Sequence, residues 1–276
     1  MPDEEKKFAI GSTDTVFAAG VVAPAPMERP KEESLEGFIE FMRAKKDIPR
    51  TKEEIIAEAR REKIEERVIQ AFAEIPREEF IHPRLREFSY FDFPIPVVYD
   101  SFDGLSSIPR SVPKPSYIMR LLTHLDTRPS HSILQLPTSS GYVAALLSRL
   151  THRVDHHDWS PINEKVSENF KRLGLNNIHW CPGSPLIVKK FPNRYDRILV
   201  TATAPELPKE LLDLLVEDGK MIIPIVDDQR VKAEDFRKEP PPLQKLYRSE
   251  RRGGTLVFLG YCRFTPLEYG RFNEHK

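Results

Sequence analysis

The chain has 276 residues, 30% of them charged, and its 42 basic and 42 acidic side chains leave a formal net charge of +0. That length buries a substantial core and accommodates one large α/β domain with extensions. The charge balance excludes whole-chain attraction to nucleic acid or an anionic membrane, and no apolar run reaches the length of a membrane span. The start, Met1-Pro2-Asp3-Glu4-Glu5-Lys6-Lys7, is neither a secretory n-region nor an Arg-rich transit peptide. A soluble intracellular protein is expected, in the cytoplasm or within an organellar complex.

Residues 1–32 read as an extended arm, mixing Gly, Ala and Pro with scattered apolar residues (Phe8, Ile10, Val16, Phe17, Val21, Val22). Such beads without a core of their own suit either docking on a partner subunit or a disordered terminus. Residues 33–75 read as N-terminal helices. The first is capped by Ser34 and carries Leu35, Phe38, Ile39 and Met42 at helical spacing. The second spans 51–75 behind a capping box, Thr51 with Glu54, and contains Ile55, Ala59, Val68 and Phe72. The independently folded domain is expected to begin at that second helix. The dense charge of 58–67 reads as a solvated helix face.

Residues 76–276 read as one domain. From Ser132 the pattern alternates, with strands predicted at 133–136, 153–155, 178–180, 196–201, 221–226 and 255–264 and helices at 142–150, 161–173 and 207–215. This order implies an α/β fold with a doubly wound, mainly parallel sheet of Rossmann type, preceded by the helical extension and the arm. A charged, Pro-rich insertion, 227–254, reads as a loop followed by a hairpin return. Cys181 and Cys262 lie in apolar surroundings and far apart, so they read as structural thiols. His152, His156 and His157 read as surface or cap residues. The last two, adjacent on an extended chain, point to opposite faces and make no metal pair, so no metal is expected.

The segment Ile133-Leu134-Gln135-Leu136-Pro137-Thr138-Ser139-Ser140-Gly141-Tyr142 runs from strand through a tight turn into a helix. A nucleotide-type cofactor lies at such a place, across the carboxyl ends of the strands. The turn normally carries several glycines, so that bare backbone approaches the ligand. Only Gly141 is present. Pro137 and Ser139 stand at the other glycine positions, and Pro137 also lacks a backbone N–H.

From Val68 to Leu267 the chain resembles the protein-L-isoaspartate O-methyltransferases. Ile75-Pro76-Arg77-Glu78-Glu79-Phe80 is similar to that family's "VPRExF", and Tyr90-Phe91-Asp92-Phe93-Pro94-Ile95-Pro96 to its "AYxDxPLP". The stretch 195–208, YDRILVTATAPELP, resembles the family's fourth-strand signature almost letter for letter. Asp218-Gly219-Lys220-Met221-Ile222-Ile223-Pro224 resembles "GGxLVxPV", and Arg263-Phe264-Thr265-Pro266-Leu267 the closing "xFVPL". The resemblance implies an S-adenosylmethionine-dependent methyltransferase fold.

The positions that would hold the cofactor depart from the family. Its "VLEIGTGSGY" has Gln135 at the acidic residue and Pro137 and Ser139 at two glycines; its "GDG" becomes Gly183-Ser184-Pro185, with Ser184 at the carboxylate. In the loop corresponding to "GQTISxPxxV", Pro113 aligns with the serine of the transfer site, and Ser111 replaces it only if the loop is re-registered. Asp158 matches the acidic residue that bonds the cofactor's ribose, and also reads as a helix cap. The vestigial cofactor set is therefore Gln135, Pro137, Ser139, Gly141, Asp158 and Ser184, with no catalytic residue assigned beyond that conditional Ser111. These departures imply a catalytically degenerate member serving as a structural or interaction subunit of a larger assembly, with no cofactor and with protein partners reached through the arm. The alternative is an active S-adenosylmethionine-dependent protein carboxyl (L-isoaspartyl) methyltransferase with a rebuilt loop. A third reading is RNA binding through Lys245, Arg248, Arg251 and Arg252, a cluster interrupted by Glu250.

Overall fold

The computed structural model of the chain describes residues 35–96, 111–137, 140–157, 163–180, 194–226, 243–251 and 255–264. It opens with α1 (Leu35–Ala44), α2 (Lys52–Arg61) and α3 (Glu66–Glu74), followed by two 3-10 turns, Arg77–Phe80 and Pro83–Phe88. The capping box forms as expected: Glu54 N donates to Thr51 Oγ1 at 3.1 Å and Thr51 N to Glu54 Oε2 at 3.2 Å. The single helix expected over 51–75 is two. Ala59 and Val68 are nine residues apart, about two and a half helical turns, so a continuous helix would turn them to opposite sides. Lys63, at φ 59°, breaks the helix and resets the phase, so that Ile55 and Ala59 of α2 and Val68 and Phe72 of α3 all reach the core.

α1 also belongs to that core, contrary to a domain beginning at the second helix. Phe38 and Met42 are buried in the same apolar cluster as α3, and Phe41 packs on Phe93 with ring centroids 5.6 Å apart. Next come a two-stranded ribbon, β1 (Ile95–Pro96) antiparallel to β2 (Ser111–Val112), and a helix that the sequence pattern did not predict, α4 (Pro115–Leu125). Proline at its first position needs no N–H partner. Asp92 caps the helix from a distance, accepting from Ser116 N at 2.8 Å and Ser116 Oγ at 2.7 Å.

The remaining elements are β3 (Ser132–Leu136), α5 (Tyr142–Leu150), β4 (Arg153–His156), α6 (Asn163–Arg172), β5 (Ile178–Trp180), β6 (Tyr195–Val200), α7 (Lys209–Asp213), β7 (Leu215–Ile225), β8 (Gln244–Glu250) and β9 (Leu256–Cys262). Their sheet order is β5-β4-β3-β6-β7-β8-β9. The first five in that order run parallel, and β8 and β9 return antiparallel, placing the expected hairpin in the second half of the insertion. The helix expected over 207–215 stops early because the chain is drawn into the sheet there. Tyr195 N donates to Leu214 O at 2.8 Å and Tyr195 pairs with Leu215.

Adjacent strand residues serve opposite faces, which is why the strands read as continuous apolar runs. Ile133, Leu199 and Ile222 face α3, α4 and α5, whereas Leu134, Ile198, Val200, Met221 and Ile223 pack with Leu211 of α7. Cys262 is buried and its thiol is pushed up to about 12 by desolvation, so it carries no thiolate at neutral pH, consistent with a structural role. Cys181 and the arm lie outside the described residues. No helix among the described residues is long and apolar enough to cross a membrane.

Candidate functional site

The chain leaves β3 for β4 and β5 on one side and returns to its other side with β6. That reversal opens a crevice at the carboxyl ends of β3 and β6, where ligands of doubly wound sheets bind. Pro137, the residue that follows β3, is bonded to the sheet. Gln135 is fully buried and its Nε2 donates to the carbonyl of Pro137. Thr201, one residue beyond β6, donates through Oγ1 to the same carbonyl at 3.2 Å and through its backbone N to Leu136 O at 2.6 Å. Pro137 has no N–H, so this carbonyl is its one main-chain hydrogen-bonding group, and two donors of the protein itself converge on it. Gln135 Oε1 is buried and accepts no hydrogen bond.

Gly141 has a packing reason to be glycine. It sits at φ 85°, the N-cap of α5, and a Cβ there would lie 2.7 Å from Val166 Cγ1 and 3.0 Å from Phe170 Cζ on α6. The one glycine present in the turn is therefore the one the fold demands by itself. Thr138, Ser139, Asp158 and Ser184 lie outside the described residues.

His156 and His157, expected at the surface or as caps, are buried; His152 is exposed as expected. The expectation failed because β4 is covered on both faces, so even alternate polar positions are enclosed. His156 stacks edge-on against Phe170, centroids 5.4 Å apart, and burial, reinforced by neighbouring His157, pushes its pKa down to about 4 despite Asp155. His157 N donates to Gln135 O at 3.3 Å. Asp155, beneath them, accepts from Arg153 Nε at 2.7 Å and Tyr195 OH at 2.8 Å. Among the described residues no group of three His, Cys, Asp or Glu side chains gathers as a metal site.

On the other side of the candidate site the organising residue is Arg77, which the sequence shows only as one letter of a motif, with no role of its own. Its guanidinium is wholly buried, and among the described residues no carboxylate lies within hydrogen-bond reach of it. It donates to the carbonyls of Ser89 at 2.6 Å, Phe93 at 2.9 Å and Pro113 at 2.9 Å, with longer approaches to those of Phe91 and Val112 at 3.4 Å. Desolvation lowers its pKa to about 10, leaving it charged at neutral pH. Arg77 and Asp92 thus fix residues 112–116 from two directions. Pro113 contributes only a carbonyl to this arrangement. Ser111 is exposed on β2, one residue before buried Val112.

The basic cluster does not form one surface. Lys245 and Arg248 are an odd number of residues apart on β8 and so point to opposite faces. Arg251 donates to Leu215 O, and Arg252 is outside the described residues. The described part of the crevice also fits S-adenosylmethionine poorly. Position 135 offers no carboxylate, position 137 no N–H, and the 137 carbonyl is already engaged.

A family model described as protein-L-isoaspartate(D-aspartate) O-methyltransferase matches residues 50–250. The chain is 31% identical over 206 residues to the protein-L-isoaspartate O-methyltransferase of Methanoculleus marisnigri, covering 74% of this chain and 84% of the relative. It is 29% identical over 228 residues to protein-L-isoaspartate O-methyltransferase 1 of Archaeoglobus fulgidus, covering 80% and 94%. A solved protein-L-isoaspartate O-methyltransferase superposes with TM-score 0.64 at 24% identity, over 79% of this chain and 66% of that one. A putative one from Plasmodium falciparum, crystallised with S-adenosyl-L-homocysteine, superposes with TM-score 0.60 at 22% identity, over 78% and 97%. The seven-stranded sheet and the ordered motifs along it thus have their counterpart in known proteins, and the chain belongs to the protein-L-isoaspartate O-methyltransferase family.

Proposed function

We propose that this chain is a non-catalytic member of its family, an interaction subunit in which the cofactor turn has become a structural joint between β3 and β6. The observation that carries this reading is the convergence of Gln135 Nε2 and Thr201 Oγ1 on the Pro137 carbonyl. An amide at 135 donates where the family's acid would accept, and proline at 137 removes the N–H such an acid would take. The two replacements suit each other. Removing one hydrogen bond between a protein and a buried ligand costs about 1–3 kcal/mol. Two or three such removals together amount to about 2–9 kcal/mol, a factor of about 30 to about 10⁶ in affinity. Calorimetry of the full chain with S-adenosylmethionine should show no binding tighter than millimolar. Micromolar binding, or methylation of an isoaspartyl peptide above a buffer blank, overturns the reading. Protein partners reached through residues 1–32 complete the proposal: they should co-purify with the full chain and be lost from a chain beginning at Glu33.

A second reading, an active protein carboxyl methyltransferase using S-adenosylmethionine, draws support from the transfer side. Arg77 and Asp92 hold 112–116 firmly, and the relatives are named as such enzymes. When bound, that cofactor supplies its own leaving group, so this chain's contribution would be the orientation of the acceptor carboxylate. The same peptide assay decides between the two.

A further inference from the structure

The outer end of the sheet carries a row of aromatic rings that neither core cluster absorbs. Ile223 pairs with Tyr247 and Tyr247 with Phe258, while Ile225 pairs with Lys245 and Lys245 with Tyr261. Residues directly opposite in neighbouring strands point the same way. Tyr247, Phe258 and Tyr261 therefore continue the α7 side of the sheet, where Ile223 is already buried. Phe258 and Tyr261 are three residues apart, and they share that side because the pairing shifts between Leu246 and Tyr247, leaving Leu259 as an extra residue on β9. Phe258 meets Tyr247 at 6.0 Å and Tyr261 at 5.2 Å between centroids, and at the centre of this row it is 45% exposed.

Cations stand at both ends of the row. At one end Lys245 lies opposite Tyr261, and Arg263, two residues past Tyr261, alternates to the same side. At the other end Ser249 lies opposite Met221 on that side, and Arg251 follows two residues later, its N continuing the ladder by donating to Gly219 O at 3.1 Å. Arg248 and Glu250 alternate to the α4 side, where they lie opposite Ile222 and Lys220. Among the described residues 243–251 and 255–264, the aromatic face thus holds three cations and no carboxylate.

We infer that this face is a platform for single-stranded nucleic acid, its rings stacking two or three bases and Lys245, Arg251 and Arg263 meeting the phosphates on either side. The occupant follows from the two chemistries present together. An acidic peptide would answer the cations and leave the rings in water. An apolar protein surface would cover the rings and desolvate the cations. A single strand repeats a planar π-face and one negative charge, and stacking on aromatic side chains tolerates any base. Aromatic side chains on a sheet surface hold two or three bases in this way. From Lys245 to Arg251 the strand advances about 20 Å, room for a short run of nucleotides. A duplex keeps its bases stacked on one another and offers the face only its phosphates. The balanced charge of the whole chain does not bear on this site, because exposed charges farther away than about 10 Å are largely screened at ordinary salt.

This inference does not rest on the cofactor reading, and either calorimetric outcome leaves it standing. Fluorescence anisotropy of labelled oligouridylate and oligothymidylate, each about ten nucleotides long and titrated with the full chain, tests it. At about 50 mM salt at least one strand should bind with a Kd below about 100 µM, and log affinity should fall against log salt with a slope of about −2, about 0.7 for each of three cations. Phe258→Ser should weaken binding about tenfold, with a thermal midpoint near the parent's. Lys245→Gln should make the slope shallower by about 0.7, and Arg248→Gln, on the opposite face, should change neither quantity. Absence of binding by both strands overturns the inference, as does a Phe258→Ser variant that binds like the parent or an Arg248→Gln variant that loses as much as Lys245→Gln. A duplex of the same length that binds as tightly as the single strands overturns it by assigning the affinity to charge alone. Displacement of the strand by oligoglutamate of equal charge also overturns it, and gives the face to an acidic protein partner.

Discussion

Replacing Arg77 by methionine removes the guanidinium while roughly preserving the apolar stem. Three well-formed hydrogen bonds, to Ser89, Phe93 and Pro113, would be removed, leaving three enclosed carbonyls without this donor. At about 2 kcal/mol for each, the loss is about 6 kcal/mol. Against this, the variant no longer buries a cation. A pKa drawn down to about 10 corresponds to a desolvation cost of about 3 kcal/mol, which is recovered. The net expectation is a destabilisation of about 3 kcal/mol, measured as a lower urea midpoint followed by circular dichroism. Arg77→Lys keeps the charge but offers its donors from one point, whereas the three carbonyls come from separate segments. It should therefore recover less than half the loss. A methionine variant within about 1 kcal/mol of the parent, or a lysine variant equal to it, would refute the view that this guanidinium ties residues 89–93 to 112–113.

Gly141→Ala should destabilise by about 2–4 kcal/mol in the absence of any ligand. The new Cβ meets Val166 and Phe170, and the backbone is left-handed; an unchanged denaturant midpoint would assign the glycine to ligand binding instead. Stability should fall by about 3 kcal/mol between pH 6.5 and 4, since His156 stays neutral when folded down to about pH 4 while the unfolded chain takes up a proton from 6.5. This contribution is complete above pH 6.5 and lost as pH falls toward 4. His156→Phe should flatten that part of a urea-midpoint profile, and an unaltered slope would show that other groups set it. A chain beginning at Thr51 should melt several degrees lower than one beginning at Glu33, because only the shorter one loses Phe38 and Met42 from the core. Equal midpoints in a thermal scan would place α1 outside the cooperative unit.

Local sequence determined much of this protein. Thr51 and Glu54 specify their helix start because both partners of the capping box lie within three residues. The apolar runs at 133–136 and 196–201 specify parallel strands because burial on both faces leaves no alternation to read. The turn at Pro137 announces its missing N–H by residue type alone. Tertiary structure decided what depends on residues distant in the chain. The break at Lys63 follows from which sides of α2 and α3 must meet one core. α4 starts where it does with the help of Asp92, 24 residues before the Ser116 it caps. The histidines of β4 are enclosed by helices their own neighbours do not reveal, and Gly141 is fixed by α6. The donors that converge on Pro137 come from positions 135 and 201, and pairing of β3 with β6 brings them together. Sequence shows which groups a turn has lost; the fold supplies the groups that take their place, because hydrogen bonds are satisfied through space rather than along the chain.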